Sequence, residues 1–254
     1  MVAITADALS KQYGAVTAVD SVSLSISTGT IYGFLGPNGA GKTTTMRLLT
    51  GLTRPTSGTA TVAGVEISDR PALTERIGYL PAEPPVFDEL SGREYLEYVA
   101  SLHELDAGTA SEIDSYLDRF DLTDDANRRI GGYSTGMKKK IGVIGAILHE
   151  PEVLFLDEPT SGLDPRAART MREMIAELAD EEITVFLSTH ILPVVEQLAD
   201  TIGVIHEGRL VAEGSPDELA KRVEHEDESV ADLESVFLSV TQESAHDENT
   251  GVIR

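Results

Sequence analysis

The chain has 254 residues, 41% hydrophobic and 25% charged, the size and balance of one large α/β domain or of one domain with a small appendage. It contains no cysteine, which excludes disulfides, thiolate metal sites and cysteine nucleophiles. Forty-three acidic against twenty basic residues give a formal net charge of -23, which repels nucleic-acid phosphates and anionic lipid, so no nucleic-acid partner is expected.

The opening stretch, Met1 to Gly14, lacks the basic and apolar regions of a secretory signal, and no apolar run approaches the roughly 18 to 20 residues that span a bilayer. The expectation is a cytoplasmic protein that reaches a membrane only through a partner. Ser21 to Ile26 reads as a strand by its alternation, and Thr30 to Leu35 as a buried strand entering a glycine-rich turn. A helix then starts near Gly41 and turns Met46, Leu48 and Leu49 inward. Thr59 to Val65 and Ile77 to Leu80 read as further strands. From Arg93 to Asp121 charges alternate with Tyr95, Leu96, Val99, Leu102, Ile113, Leu117 and Phe120 at helical spacings, which predicts two or three helices forming a subdomain.

From Ile141 the pattern alternates helix and strand: Ile141 to Leu148, Val153 to Leu156, Ala167 to Leu178 and Ile183 to Leu187. That alternation predicts a largely parallel sheet covered by helices. Arg209 to Glu213 reads as a strand, and Ser215, Pro216 and Glu218 supply the N-cap, first-turn proline and capping-box acid of a short helix. Glu224 to Glu228 reads as a charged linker. Leu233, Val236, Phe237 and Val240 then repeat at the spacing of an amphipathic terminal helix. The acidic excess is spread along the whole chain, and only six of the basic residues are lysine. This is the pattern of a solvated surface built for high salt, where self-repulsion is screened; the alternative is an ordinary acidic protein.

Two motifs carry chemistry on their own. Gly36, Pro37, Asn38, Gly39, Ala40, Gly41, Lys42 and Thr43 fit the eight-position P-loop pattern, with the strand before and the helix after that the pattern requires. Its glycines let backbone N–H groups close around phosphate oxygens at the positive end of a helix. Lys42 reaches the β- and γ-phosphates in this reading, and the Thr43 hydroxyl ligates Mg²⁺. An incidental glycine-rich turn is the plainer reading, and the strand and helix on either side count against it. The second motif, Val153 to Glu158, is a buried strand ending in two acids. It sets Asp157 beside the metal and Glu158 one residue further, where it can polarise an attacking water. The plainer reading pairs both acids with nearby lysine or arginine.

With these motifs on the page, the sequence resembles the ATP-binding cassette (ABC) ATPase family from about Ala3 to Phe237. Tyr133-Ser134-Thr135-Gly136-Met137 resembles the family's signature loop and is followed by the basic run Lys138 to Lys140, which alone would read as a solvated face. Thr160 to Asp164 resembles the loop that leads to the dimer interface. His190 follows Ser188 and Thr189 at the switch position, Tyr13 stands where the adenine-stacking aromatic does, and Ile77 to Pro81 introduce the lid loop. No Asn-Lys-x-Asp motif occurs, which disfavours a GTPase.

The resemblance implies a P-loop NTPase fold of class α/β, with a mostly parallel core sheet, an antiparallel β subdomain and a helical signature subdomain at about 88–148. The cassette then covers 1–223, and 224–254 form an acidic linker and an amphipathic C-terminal extension. It implies ATP and Mg²⁺ as cofactors, with Lys42, Glu158 and His190 catalytic. It also implies that Tyr13, Gly36 to Thr44, Ser134, Gly136 and Asp164 contact nucleotide across two cassettes. The implied partners are a second cassette and a transmembrane permease, on the inner face of the cell membrane.

Two loops depart from the family. The lid-loop glutamine falls on Ala82, followed by Glu83, so Glu83 is a candidate metal ligand in its place. Thr135 and Met137 replace the usual glycine and glutamine, as in the branch paired with ABC-2-type permeases, and the ending Ala231 to Thr241 resembles that branch too. The rival readings are a soluble non-transport ABC ATPase, such as a translation or DNA-repair factor, and a nucleotide-binding module without turnover.

Overall fold

In the computed structural model, residues 1–106 and 108–223 are described, with side chains through residue 220. The chain opens with a hairpin of two long strands, β1 (Val2–Tyr13) and β2 (Val16–Ser27). Strand β1 is not among the strands expected from sequence, and β2 begins five residues before the expected Ser21. The reason is local: the pairing of β1 with β2 shifts register between Ala6 and Leu9, and Ala8 and Ser21 have positive φ of 45° and 54°. Such bulges break the strict alternation by which a strand is recognised in sequence. With β4 (Ser57–Val62) and β5 (Val65–Glu66) the hairpin forms an antiparallel sheet in the order β2-β1-β4-β5.

The second sheet has the order β10-β9-β3-β8-β7-β6. Its members are β3 (Ile31–Leu35), β6 (Ile77–Leu80), β7 (Val153–Asp157), β8 (Thr184–Thr189), β9 (Thr201–His206) and β10 (Arg209–Gly214). All neighbours pair in parallel except β10, which runs antiparallel to β9. Every residue of β3, β7 and β8 is buried. Continuous apolar runs of this kind belong to central strands covered on both faces.

Helix α1 (Lys42–Leu49) lies between the two sheets. Met46, Leu48 and Leu49 pack in one cluster with Ile4, Leu9 and Val62 of the antiparallel sheet and Phe34, Phe155 and Phe186 of the parallel one. The ring centroids of Phe34 and Phe155 lie 5.3 and 5.5 Å from that of Phe186. All three rings are fully buried, so each contributes about 1.5–3 kcal/mol from burial.

The other face is covered by α3 (Gly92–Leu102), α4 (Thr109–Arg119), α5 (Thr135–Ile147), α6 (Pro165–Asp180) and α7 (Leu192–Leu198). Tyr95, Leu96, Ile113, Leu117, Ile141 and Ile144 share its core cluster, which bears out helices over Arg93 to Asp121. Helix α5 starts before the predicted Ile141 because the Ser134 hydroxyl caps it, accepting from the N–H of Met137 at 3.2 Å. The capping box expected at α8 (Pro216–Val223) is formed: Glu218 N–H donates to Ser215 Oγ at 3.2 Å and Ser215 N–H to Glu218 Oε2 at 3.0 Å. Helix α2 (Arg70–Thr74) completes the set. The expected linker and terminal helix, with Leu233, Val236, Phe237 and Val240, lie outside the described residues.

Candidate nucleotide site

Parallel pairing aligns Leu35 with Thr189 and Asp157 with Ser188, so β3, β7 and β8 end at one edge of the sheet. The loops beyond that edge carry the P-loop, Glu158 and His190. Ligand crevices in open α/β sheets form at this carboxyl edge.

The P-loop turns at Pro37, whose carbonyl accepts from Ala40 N–H at 3.2 Å. It enters α1 through Gly41, which has φ of +107°. A Cβ there would lie 2.5 Å from the Ala18 carbonyl oxygen, so both conformation and space require glycine. The loop is tied to the fold from behind. Gly208 N–H donates to Ala40 O at 2.9 Å, and Asp20 N–H donates to Gly208 O at 2.8 Å. A cleft of about 230 Å³ opens in front, lined by Ala18, Asn38, Gly39, Gly41, Lys42, Thr43, Thr44 and Glu158.

Lys42 is 6% exposed. Its ammonium donates to Gly36 O at 2.8 Å and Pro37 O at 3.1 Å, and lies 3.4 Å from Glu158 Oε1. The Thr43 hydroxyl donates to Asp157 Oδ2 at 2.9 Å, and Ser188 donates to the other oxygen, Oδ1. A hydroxyl and a carboxylate oxygen brought together this way are the hard donors that Mg²⁺ accepts. No group of three or more His, Cys, Asp or Glu suited to a metal ion occurs among the described residues. Such a donor set fits Mg²⁺, an ion that is ordinarily held by one or two carboxylates together with substrate phosphates.

Glu158 adopts a positive φ of 49°, a conformation costing about 1–2 kcal/mol for an L-residue. It is held on every side. Its N–H donates to Ser188 O at 3.0 Å, and its carbonyl accepts from the Lys139 ammonium at 2.6 Å. Thr189 Oγ1 donates to Oε2 at 3.1 Å, and His190 Nδ1 bonds Oε1 at 2.9 Å. The arrangement can hold a water or a phosphate oxygen between a carboxylate, an ammonium and an imidazole.

The remaining predicted residues lie outside this cleft. Tyr13, 48% exposed, closes the hairpin opposite Val16, two residues before Ala18 of the cleft wall; the Lys11 ammonium sits 4.9 Å over its ring. Ser134 is exposed at the N-terminus of α5, and Gly136 stands with its Cβ position 3.3 Å from Ala167 Cβ. Asp164 caps α6, accepting from Arg166 and Ala167 N–H at 2.9 and 3.0 Å. None of these four lines the cleft formed by the P-loop of the same chain. Ala82 and Glu83 line a different cleft, with Thr135, Lys138 and Lys139.

Ser188, Thr189 and Lys139 support the two acids without having been marked by any motif. For the first two a signal existed, since both end a strand whose neighbour ends in the two acids. Lys139 is different: read in a run of three lysines as a solvated face, it is 3% exposed, whereas Lys138 pairs with Asp88 at 2.6 Å and Lys140 donates to Phe120 O at 2.8 Å.

Residues 19–161 match the family described as ABC transporter. The chain belongs to that family. It is 43% identical over 219 residues to the daunorubicin resistance ATP-binding protein DrrA3 of Streptomyces coeruleorubidus, covering 85% of this chain and 69% of that one. It is 43% identical over 216 residues to the bacitracin transport ATP-binding protein BcrA of Bacillus licheniformis, with coverage of 84% and 70%. NatA of Bacillus subtilis, an ABC transporter ATP-binding protein, is 37% identical over 88% of this chain and 90% of its own. Among solved structures, an ATP binding subunit of an ABC transporter superposes with a TM-score of 0.83 at 28% identity, covering 93% of this chain and 98% of that one.

Proposed function

We propose that this chain binds and hydrolyses ATP at the carboxyl edge of the parallel sheet and delivers the resulting motion to a membrane-spanning permease. One observation carries the chemistry: Lys42 and His190 meet on the same oxygen of Glu158, at 3.4 and 2.9 Å, in front of the P-loop. P-loop amides and Lys42 would hold the β- and γ-phosphates. Thr43 and Asp157 would hold Mg²⁺, which when bound neutralises charge on the phosphates. Glu158 would orient the attacking water and take its proton, while His190 fixes the carboxylate and Thr189 steadies its second oxygen. Tyr13 would stack on adenine.

Ser134, Gly136 and Asp164 lie outside the cleft of their own chain. In this reading they serve the nucleotide of a second cassette, the exposed N-terminus of α5 facing the γ-phosphate of its partner. ATP then joins two cassettes and its hydrolysis lets them part, a two-state motion transmitted to the permease. Residues 1–223 form the cassette in this assignment. The names of DrrA3 and BcrA, which describe resistance and transport ATP-binding proteins, favour a transporter over a soluble translation or repair factor. No described helix is long and apolar enough to cross a membrane. We place the chain on the cytoplasmic face, held by the permease.

The test is twofold. Purified chain should release phosphate from MgATP, and affinity-tagged chain should bring down a protein with multiple apolar spans. Absence of turnover together with a soluble multidomain partner would replace this assignment by the non-transport one.

A further inference from the structure

The buried lysine of α5 calls for an explanation beyond packing. An ammonium removed from water is unfavourable unless hydrogen bonds compensate for it. Lys139 donates to two backbone carbonyls, Glu158 O at 2.6 Å and Ser161 O at 2.8 Å. Its desolvation lowers its pKa, against the opposing pull of the Glu158 and Asp157 carboxylates. Neither neighbouring lysine reaches this loop: Lys138 is bonded to Asp88 and Lys140 to the Phe120 carbonyl.

The two acceptors are not arbitrary carbonyls. Glu158 is the residue held at positive φ, and Ser161 N–H donates back to Glu158 O at 3.2 Å, while Leu163 N–H donates to Thr160 O at 3.3 Å. The ammonium therefore staples both ends of a short turn that starts at the glutamate. The other end of the tie is α5, whose first turn carries the exposed Ser134 cap and Gly136 against Ala167.

We propose that Lys139 is a positioning residue for Glu158, a strut that makes the glutamate and the N-terminus of α5 move as one body. Resting on the ATPase reading above, this assigns to one side chain the link between the surface that would meet a second cassette and the carboxylate that would orient water in the same chain. Without the strut, the turn from Glu158 to Ser161 loses its fixed carbonyls. The carboxylate then samples orientations away from Lys42 and His190, although every residue of the P-loop remains in place.

The test compares full-length wild type with Lys139→Met, which keeps the stem and loses the donor, and Lys139→Gln, which keeps a shorter donor. In Lys139→Met the amides of Glu158, Ser161 and Leu163 should exchange with solvent at least about tenfold faster, as expected for a local turn that opens more often. Turnover should fall by about 10- to 100-fold, by analogy with the loss of a hydrogen-bond partner that orients a metal ligand, with ATP affinity within about twofold of wild type. Lys139→Gln should recover part of the turnover. Unchanged amide exchange overturns the proposal. So does turnover within about twofold of wild type in both variants, and so does a loss of ATP affinity as large as the loss of turnover. A wild-type chain without turnover counts against the ATPase reading itself, and amide exchange then decides the strut separately.

Discussion

His190 Nδ1 lies 2.9 Å from Glu158 Oε1, so the imidazole fixes the carboxylate from outside the sheet while Thr189 holds its other oxygen from within it. Glu158→Gln keeps the size of the side chain and removes its basicity. The variant should bind ATP with nearly unchanged affinity, lose turnover by about two to four orders of magnitude, the range that general-base catalysis contributes, and persist as an ATP-dependent dimer on size-exclusion chromatography. Turnover near wild type would remove Glu158 from the reaction.

Lys42→Ala should act differently. The substitution deletes the ammonium that bonds Gly36 O and Pro37 O and neighbours Glu158. A charge-assisted phosphate contact is then missing, so ATP affinity itself should fall by about tenfold or more. Equilibrium binding of a fluorescent ATP analogue checks this, and unchanged affinity would count against the P-loop assignment.

The lid loop offers a sharper choice. Glu83 lines a cleft with Thr135, Lys138 and Lys139, while Thr43 lines the P-loop cleft. If Glu83 nonetheless reaches the shell of a bound Mg²⁺ when the loop moves, Glu83→Ala should lower turnover and raise the Mg²⁺ concentration required. Ala82→Gln should then be neutral or mildly helpful. Superimposable Mg²⁺ titrations of Glu83→Ala and wild type would confine Glu83 to a local role.

A histidine pair predicts acid sensitivity. The rings of His103 and His149 stack with centroids 3.9 Å apart, and His149 Nε2 bonds Ile77 O at 2.9 Å. Burial, and then the charge of His103, hold the His149 pKa down at about 4, opposed by the bond to Ile77 O; burial also lowers His103. Because the folded pKa lies below the unfolded one, near 6.5, the unfolded chain binds more protons between them. Stability is therefore full above about pH 6.5 and is lost as pH falls toward 4. Urea midpoints at pH 7 and pH 5 should differ less in His149→Gln than in wild type, and equal differences would exclude the pair as a cause.

The charge of -23 makes a prediction about salt. If the acidic surface is an adaptation to salt, the melting temperature should rise steeply from dilute buffer toward 2 M KCl, because the Debye length shrinks from about 10 Å at 0.1 M to about 3 Å at 1 M. A melting temperature that ignores salt over this range would leave an ordinary acidic protein.

What the sequence disclosed followed the range of the interactions. Gly36 to Thr43 and Val153 to Glu158 were legible because each is a short segment whose chemistry depends on spacing along the chain. The capping box at Ser215 and Glu218 was legible for the same reason. Strand β1 was not, since its bulge near Ala8 interrupts the alternation and the buried face contains two alanines, Ala3 and Ala6. Helix α7 and strand β9 were passed over as well; α7 is short and carries Pro193, and Gly203 dilutes the apolar run of β9. Lys139 was misread because its burial is decided by α5 packing over the turn at Glu158, a contact that no local pattern encodes. Ser134 and Gly136 were legible as a motif, yet their distance from the P-loop cleft of the same chain became visible only in three dimensions.

The bond from Gly208 to Ala40 has a consequence for how missense variants in this chain should be interpreted. Gly208 belongs to no recognisable motif, yet it sits at φ of +80° with a Cβ position 3.0 Å from the Ala18 carbonyl oxygen, clamped between Ala40 and Asp20. A side chain there would be strained by the positive φ and would press on Ala18 of the cleft wall, next to the bond that ties Gly208 to Ala40. A variant at Gly208 would therefore combine a loss of stability with a defect in nucleotide affinity, and a screen that scores only motif residues would classify it as benign.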